Sequence, residues 1–218
     1  MQKITNYRVI INDIELVLTT ESWKSADADA LVLSANNRLI LRGATGLAGW
    51  LNQQCPNLHG RCAQLVQQHE LRPMRGILPG YGAITEGPDG KMIIHAVTVD
   101  YDHSEFVGKS FSGMDTVAAA TGYAIRAALL NQFASIAFTP MCTRGHADNA
   151  VPRNLAQYLL PQVQAQVIFG KAMTIVDGGS LKQIYFCVQD PEGDKNRKTH
   201  FETVKNEWKG LENQYKYG

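Results

Sequence analysis

The sequence predicts an α/β protein, a three-layer α/β/α sandwich with a mixed central sheet. Segments with strand and helix patterns alternate along the chain, as expected of that class. Tyr7 to Ile11 and Ile14 to Thr19 are strand-like runs, and Asn12-Asp13 between them suits a tight hairpin turn. Leu31 to Ser34 is short and apolar, as a buried central strand should be. We therefore expect a hairpin and buried central strands in one sheet.

Later segments predict more strands and two long helices. Ile136 to Thr139 and Ile184 to Val188 read as buried strands, whereas Ile168 to Asp177 fits either a strand or a helix. Asp115 to Phe133 is alanine-rich and predicts a helix with Asp115 as its cap. The segment from His200 to Tyr217 predicts a polar helix that packs on the sheet through apolar residues at helical spacing: Phe201, Val204, Trp208, Leu211 and Tyr215. We expect one domain over residues 1–198, with residues 199–218 as a helix packed on it.

Composition and charge narrow the class of protein. The chain has 218 residues, 44% of them hydrophobic, which is enough to bury a full core as one domain. Its formal net charge of +1 provides no general basic field for nucleic acid, and the charged run Asp194 to Lys198 is typical of a solvated loop. No apolar run approaches the roughly 20 residues that cross a bilayer, and Met1-Gln2-Lys3 leads into a strand without a signal peptide. We expect a cytoplasmic protein with mostly reduced cysteines, at Cys55, Cys62, Cys142 and Cys187.

A glycine-containing segment follows the first predicted central strand. After Leu31 to Ser34 come Asn36 and Asn37, then glycines at positions 43, 46 and 49 at the start of a helix. A chain that leaves a sheet and turns tightly into a helix presents backbone N–H groups and a positive helix end to an anion. Glycines let such a loop approach its ligand closely. This order predicts a phosphate-containing, nucleotide-like ligand.

The segment from Gly43 to Gly49 also resembles the glycine turn of short-chain dehydrogenases, an NAD(P)-binding class. That turn normally follows the first strand of the chain, and a ribose-binding acidic residue closes a second strand about 20 residues later. Here residues 51–71 read as helix and loop. None of the tyrosines has a lysine four positions on, so the catalytic Tyr-x-x-x-Lys pair of that class is missing. The dehydrogenase is the less favoured alternative.

Two other motifs are discounted. Gly108-Lys109-Ser110 ends like a Walker phosphate-binding loop, but His103 stands where the first glycine of that loop is required. Cys55, His59 and Cys62 would share one face of a continuous helix and could hold zinc. Pro56 interrupts that helix and only three ligands are in view, so we expect no metal.

Residues 29–36, 46–49, 92–97 and 135–145 are four segments that, taken in order, resemble macro domains, the ADP-ribose-binding modules, in a form found in bacteria and their phages. Residues 29–36, DALVLSAN, are similar to the motif D-A-[IV]-V-N-A-A-N, with Leu33 in place of its first Asn. Residues 46–49 are similar to G-V-A-G, and residues 92–97 resemble the family's V-I-H-x-V strand. Residues 135–145 resemble its S-I-A-F-P-x-[IL]-x-T-G strand and second phosphate loop, with Arg144 as an insertion. The likeness spans roughly residues 12–190.

The resemblance implies that ADP-ribose lies between two loops at the carboxyl ends of the strands. Loop one is Arg42 to Leu47, which would hold the diphosphate, and loop two is Met141 to Ala147, which would cover the second phosphate and the distal ribose. Asn36 would contact the distal ribose, and Glu21 would receive the adenine amine. The implied ligand-binding residues are Glu21, Asn36, Asn37, Gly43, Ala44, Thr45, Gly46, Leu47, Ala48, Met141, Cys142, Thr143, Arg144, Gly145 and His146. No cofactor is implied.

Whether such a domain binds ADP-ribose or hydrolyses its linkage depends on groups that activate water. Many macro hydrolases carry an Asp in the helix after loop one, where this chain has Ala48. Binding is therefore favoured, with weak mono-ADP-ribosyl hydrolase activity as an option for which Asn36 and His146 are the candidate catalytic residues. His95 fits a core position better than a general base.

The expected partner is ADP-ribose or an ADP-ribosylated macromolecule. We expect no membrane partner, and nucleic acid only as an ADP-ribosylated substrate. The competing class is a degenerate macro fold that serves as a protein-interaction module.

Overall fold

A computed structural model describes residues 5–41, 44, 46–69, 76–100, 113–142, 153–175, 179–188 and 195–217. Within them the strands form a seven-stranded sheet in the order β1-β2-β7-β6-β3-β5-β4. The strands are β1 (Asn6–Ile11), β2 (Ile14–Thr19), β3 (Ala30–Asn36), β4 (Gly82–Glu86), β5 (Met92–Val99), β6 (Ser135–Phe138) and β7 (Gln183–Cys187). Each of the two edge strands is antiparallel to its neighbour, β1 to β2 and β4 to β5, and the other neighbouring strands are parallel. The predicted mixed sheet is confirmed.

Helices cover both faces of this sheet, so the predicted three-layer sandwich is also confirmed. In the described residues they are α1 (Gly46–Gln54), α2 (Leu58–His69), α3 (Met114–Leu130), α4 (Arg153–Thr174) and α5 (Lys195–Tyr217), with a short 3-10 turn at Pro88–Gly90. Helices α1 and α2 pack on one face, and α3, α4 and α5 on the other. Strand β3 serves both layers because its side chains alternate: Ala30 and Val32 face the second set of helices, and Leu31 and Leu33 face the first. None of the described helices is long and apolar enough to span a membrane.

The opening hairpin forms where the sequence places it. Asn12 and Asp13 both have positive φ, 46° and 62°, which is the requirement of a type I′ turn and is tolerated best by Asn, Asp and Gly. Asn12 Nδ2 also donates to the Met173 carbonyl at 2.9 Å, and the Tyr215 hydroxyl donates to Asn12 Oδ1 at 3.1 Å. The turn is thereby tied to α4 and α5.

The long helices differ from expectation at their ends. Helix α3 starts at Met114 with Gly113 as its cap, so the predicted cap Asp115 is wrong. Asp115 instead lies in the first turn, where its charge suits the positive helix end. Helix α4 continues to Thr174, which resolves the ambiguous segment that begins at Ile168 as helix up to that residue. Helix α5 begins at Lys195, five residues before the predicted start.

The apolar stripe of α5 packs as predicted except at Tyr215, which is 44% exposed. Phe201, Val204 and Trp208 are buried in the core cluster formed with α3 and α4, and Leu211 lies at its margin. The ring of Trp208 lies 6.3 Å from that of Phe186 on β7, and its Nε1 donates to the Ala165 carbonyl at 3.1 Å. A buried indole is stabilised both by its apolar contacts and by this hydrogen bond.

Candidate functional site

A crevice is expected at the carboxyl ends of β3 and β6, two neighbouring parallel strands. The chain that leaves β3 runs to α1 on one face of the sheet, whereas the chain that leaves β6 runs to α4 on the opposite face. Connections that diverge from adjacent strands leave an opening between them, and α/β proteins bind ligands at such switch points. Loop one belongs to the connection that leaves β3, and loop two belongs to the connection that leaves β6.

Loop one leads into α1, whose first turn contains Gly46, Leu47 and Ala48. Gly46 has a φ of +65°, a conformation that favours glycine. The Ala44 N–H donates to the Leu41 carbonyl at 3.1 Å, a bond between residues three apart in the connection from β3 to α1. The unpaired N–H groups that a helix start carries can therefore meet an anion at the switch point. Gly43 and Thr45 lie outside the described residues.

Helix α1 and loop one approach each other closely at Gly49. A Cβ added to this glycine would lie 2.3 Å from the Ala44 carbonyl oxygen. Only a residue without a side chain permits that approach, so Gly49 sets the position of loop one. Ala48 is partly buried and packs against the core beneath α1. Its methyl group has no acid–base chemistry to offer.

Asn36 ends β3, and its side chain holds the turn that follows. Its Oδ1 accepts hydrogen bonds from the N–H groups of Arg38 and Ile40, both at 3.1 Å. Its Nδ2 donates to the Ile40 carbonyl at 3.2 Å. An amide nitrogen has two hydrogens, and no acceptor in the described part of the chain takes the second one. The orientation of the amide is thus fixed, and Asn36 can offer a ligand one donor.

Asn37 is placed differently from its neighbour. Its side chain is 2% exposed, and its Nδ2 donates to Asp100 Oδ1 at 3.0 Å. Asp100, directly after β5, is itself 4% exposed. Sequence reasoning singled out Asn37 but missed Asp100 as its partner. Only the parallel pairing of β3 with β5, which brings the ends of both strands together, reveals it.

Loop two leaves β6 through Met141 and Cys142. Met141 is buried, and its N–H donates to the side chain of Gln164 in α4 at 3.1 Å. Cys142 has a φ of +56°, and its sulfur lies 3.9 Å from the Ser34 hydroxyl on β3. This contact joins the start of loop two to strand β3 at the switch point. The remaining predicted loop-two residues, Thr143, Arg144, Gly145 and His146, lie outside the described residues.

Glu21 follows β2, on the same edge of the sheet. Its backbone N–H donates to the Thr19 hydroxyl at 3.0 Å, and its side chain is partly exposed. Burial raises the pKa of the Cys187 thiol at the end of β7 to about 12, and the nearby Glu21 carboxylate adds to that rise. Three strand spacings of about 4.8 Å separate β2 from β3. An extended nucleoside diphosphate sugar can span this distance from Glu21 to Asn36.

His95 lies in the middle of β5 and is fully buried. Its Nε2 lies 2.7 Å from the Thr85 hydroxyl and 3.8 Å from the Cys62 sulfur, whereas its Nδ1 has no hydrogen-bond partner among the described residues. Burial lowers the pKa of the imidazole to about 4, so it is neutral near pH 7. These contacts lie in the core under α2 and make His95 a packing residue there.

The buried imidazole predicts a pH dependence of stability. An unfolded histidine has a pKa of about 6.5, so below that pH the unfolded chain takes up a proton that folded His95 excludes. Stability should therefore fall as the pH drops from about 6.5 to about 4, and by about 2 kcal/mol already at pH 5. His95→Gln, which can still bond Thr85 but cannot titrate, should remove this part of the slope. Urea unfolding at pH 7 and pH 5 measures it, and equal slopes in both proteins would exclude the effect.

The expected absence of a metal stays a prediction, and two of the zinc candidates can be located in the structure. Cys62 is buried and turns towards His95, while Cys55 is partly exposed and lies between α1 and α2. No group of three or more His, Cys, Asp or Glu side chains in the described ranges could hold a metal ion.

Comparisons with known proteins identify the fold. No protein-family model matches the chain, and no curated protein matches it. Solved structures do match: the Oceanobacillus iheyensis macrodomain with ADP is 17% identical over 96% of this chain and 100% of that chain, with a TM-score of 0.72. A mutant of that macrodomain with ADPR is 16% identical over 95% of this chain and 98% of that chain, with a TM-score of 0.70. The Trypanosoma brucei macrodomain in complex with ADP-ribose is 19% identical over 87% of this chain and 68% of that chain, with a TM-score of 0.58.

The chain therefore has the macrodomain fold, as the resemblance of its four segments predicts. Two features of that resemblance now have a structural meaning. Asp29, the first residue of the motif, accepts hydrogen bonds from the N–H groups of Ala134 and Ser135 at 2.7 and 3.0 Å, which joins β3 to β6. Leu33, which replaces the motif's first Asn, is 4% exposed and packs in the core under α1.

The fold also weighs against the dehydrogenase alternative. In that class a second strand follows the glycine turn and its helix. Here α1 is followed by α2, and no strand lies between α1 and β4 in the described residues. The described residues therefore lack the strand after α1 whose end would hold the ribose-binding carboxylate of a dehydrogenase.

Proposed function

We propose that this protein binds ADP-ribose at the switch point between β3 and β6. The observation that carries the proposal is the placement of loop one, the start of α1 and Asn36 on one side of that point, and of Cys142 at the start of loop two on the other. The helix start suits a diphosphate, Asn36 offers a donor for a ribose hydroxyl, and Glu21 lies further along the same edge, where it can accept from the adenine amine. The macrodomains of similar structure with ADP or ADP-ribose bound support the same ligand.

The partner would be free ADP-ribose or a macromolecule that carries it. Binding is favoured over hydrolysis because Ala48 stands where many macro hydrolases have an Asp, and an alanine cannot activate water. Hydrolysis of a mono-ADP-ribosyl linkage would have to use Asn36, His146 or the substrate itself to hold the water. Loss of radiolabel from mono-ADP-ribosylated protein tests that finer activity.

Calorimetric titration of the purified protein tests the proposal. We expect saturable binding of ADP-ribose, weaker binding of AMP, and a decrease of about tenfold or more in ADP-ribose affinity in Asn36→Ala, because one ligand hydrogen bond and the turn that Asn36 holds are lost together. Tyr217→Ala, on an 84% exposed side chain of α5, is the control and should bind like the wild type.

Two other outcomes point to other classes of protein. NAD that binds at least as well as ADP-ribose would favour the dehydrogenase-like alternative. No heat and no thermal shift with any of the nucleotides would contradict the proposal and favour a protein-interaction role for a macro fold without its ligand.

A further inference from the structure

The pairing of β3 with β5 is irregular where the two strands end. Ala35 pairs with Val97 and Asn36 with Val99, so Thr98 is passed over on β5. The Thr98 hydroxyl lies 2.7 Å from that of Ser34 and 3.4 Å from the Ala35 carbonyl. An extra residue in one strand changes the direction of the residues that follow, and such irregularities often adjoin functional sites.

Beyond this irregularity, Asn37 is held from several directions. Its N–H donates to the Val99 carbonyl at 2.8 Å, and its carbonyl accepts from the Ile77 N–H at 2.7 Å. Gly76, with a φ of +100°, lies so close that a Cβ there would be 2.4 Å from the Asn37 carbonyl oxygen. The buried hydrogen bond from Asn37 to the Asp100 carboxylate completes the arrangement.

A carboxylate is costly to bury unless it accepts hydrogen bonds, and the Asn37 amide donates one of them to Asp100. Bonds to a charged acceptor are among the stronger ones in proteins. The backbone of Asn37 therefore has little freedom to move, and Asn36 precedes it directly. The Asn36 amide is oriented by the hydrogen bonds that its Oδ1 accepts from the N–H groups of Arg38 and Ile40. Because these two residues follow Asn37 in the chain, a shift of the Asn37 backbone would change the direction of the Asn36 donor that no described residue accepts from.

We infer that Asp100 is a positioning residue for Asn36: through the buried Asn37 amide it sets the direction of the Asn36 donor and with it the affinity for the distal ribose. This inference rests on the proposed function for its consequence, but not for its geometry. The inference predicts that loss of the Asp100 carboxylate lowers the affinity for ADP-ribose but not the affinity for ADP, because ADP lacks the distal ribose.

The first test uses the ligand-free protein, so that it does not depend on any ligand. In Asp100→Ala the Asn37 amide loses its carboxylate, and we expect amide hydrogen exchange at Arg38 and Ile40 to become at least about tenfold faster, as their bonds to Asn36 open more often. Asp100→Asn keeps an acceptor oxygen for Asn37 and should remain close to the wild type. Asp27→Ala removes an exposed carboxylate that follows no strand end and controls for charge. Unchanged exchange in Asp100→Ala would overturn the inference.

The second test compares two ligands on the same variants. Asp100→Ala should weaken ADP-ribose by about tenfold and leave ADP within about twofold, whereas Asp100→Asn should bind both nearly normally. Equal weakening of both ligands would assign Asp100 a general structural role and overturn the inference. If exchange responds as expected but the wild type binds no ADP-ribose, the proposed function fails while the coupling of Asp100 to Asn36 stands. If Asp100→Ala does not fold, Gly76→Ala disturbs the Asn37 carbonyl from the other side and should give the same selective loss.

Discussion

Trp208→Ala should destabilise the protein by about 3–5 kcal/mol, the usual cost of removing a buried indole. Trp208 is fully buried in α5, and it contacts Phe186 of β7 and the Ala165 carbonyl of α4. Its loss opens a cavity where the helix, the sheet and a second helix meet. For a chain of this size, a drop of about 10 °C in the thermal midpoint is expected.

Differential scanning calorimetry measures this loss. Tyr217→Ala, on the same helix but 84% exposed, should change the stability by less than about 0.5 kcal/mol. Trp208→Phe keeps an aromatic ring without the Nε1 donor and should lie between the two. A midpoint unchanged in Trp208→Ala would mean that α5 is not part of the cooperative unit. A destabilisation of this size would support our proposal that residues 199–218 pack on the domain of residues 1–198.

Gly49→Ala should greatly weaken ADP-ribose binding, by at least about tenfold, while the protein stays folded. The new methyl group would lie 2.3 Å from the Ala44 carbonyl oxygen, and a backbone atom can avoid it only if loop one moves. Alanine is the better helix former by about 1 kcal/mol, which offsets part of the strain within α1. Affinity should therefore suffer more than stability.

The matched control is Gly60→Ala on α2. A Cβ at Gly60 has no neighbour within 4 Å, so this variant gains helix propensity without moving loop one. Calorimetric titration of both variants with ADP-ribose separates the two effects. Wild-type affinity in Gly49→Ala would show that loop one, in this position, does not hold the ligand.

Local chemistry made much of this fold predictable from the sequence. The opening hairpin follows from the Asn12-Asp13 pair, whose side chains tolerate positive φ, and the packing of α5 follows from apolar residues at helical spacing. The start of α3 was predicted wrongly because a carboxylate in the first turn resembles a cap in sequence. In the site, glycines between a strand and a helix singled out loop one, and the resemblance to the macro-domain motif singled out Asn36. The ligand contacts themselves remain predictions.

By itself, then, the sequence determined the class of fold and most of its strands, since periodicity and turn chemistry act between near neighbours in the chain. The resemblance to macro domains implied the segments that border the crevice, whereas strand β4 and most of helix α4 were not predicted. Only the tertiary structure decided which strands are adjacent. That adjacency placed Asp100 against Asn37, 63 residues away, and brought Cys142 to Ser34 across the switch point. It also supplied the neighbours of His95, Cys62 and Thr85, in the core position that the sequence predicts for this histidine. These contacts depend on sheet order and register, which arise when distant apolar segments pack together, and no local pattern in the sequence records them.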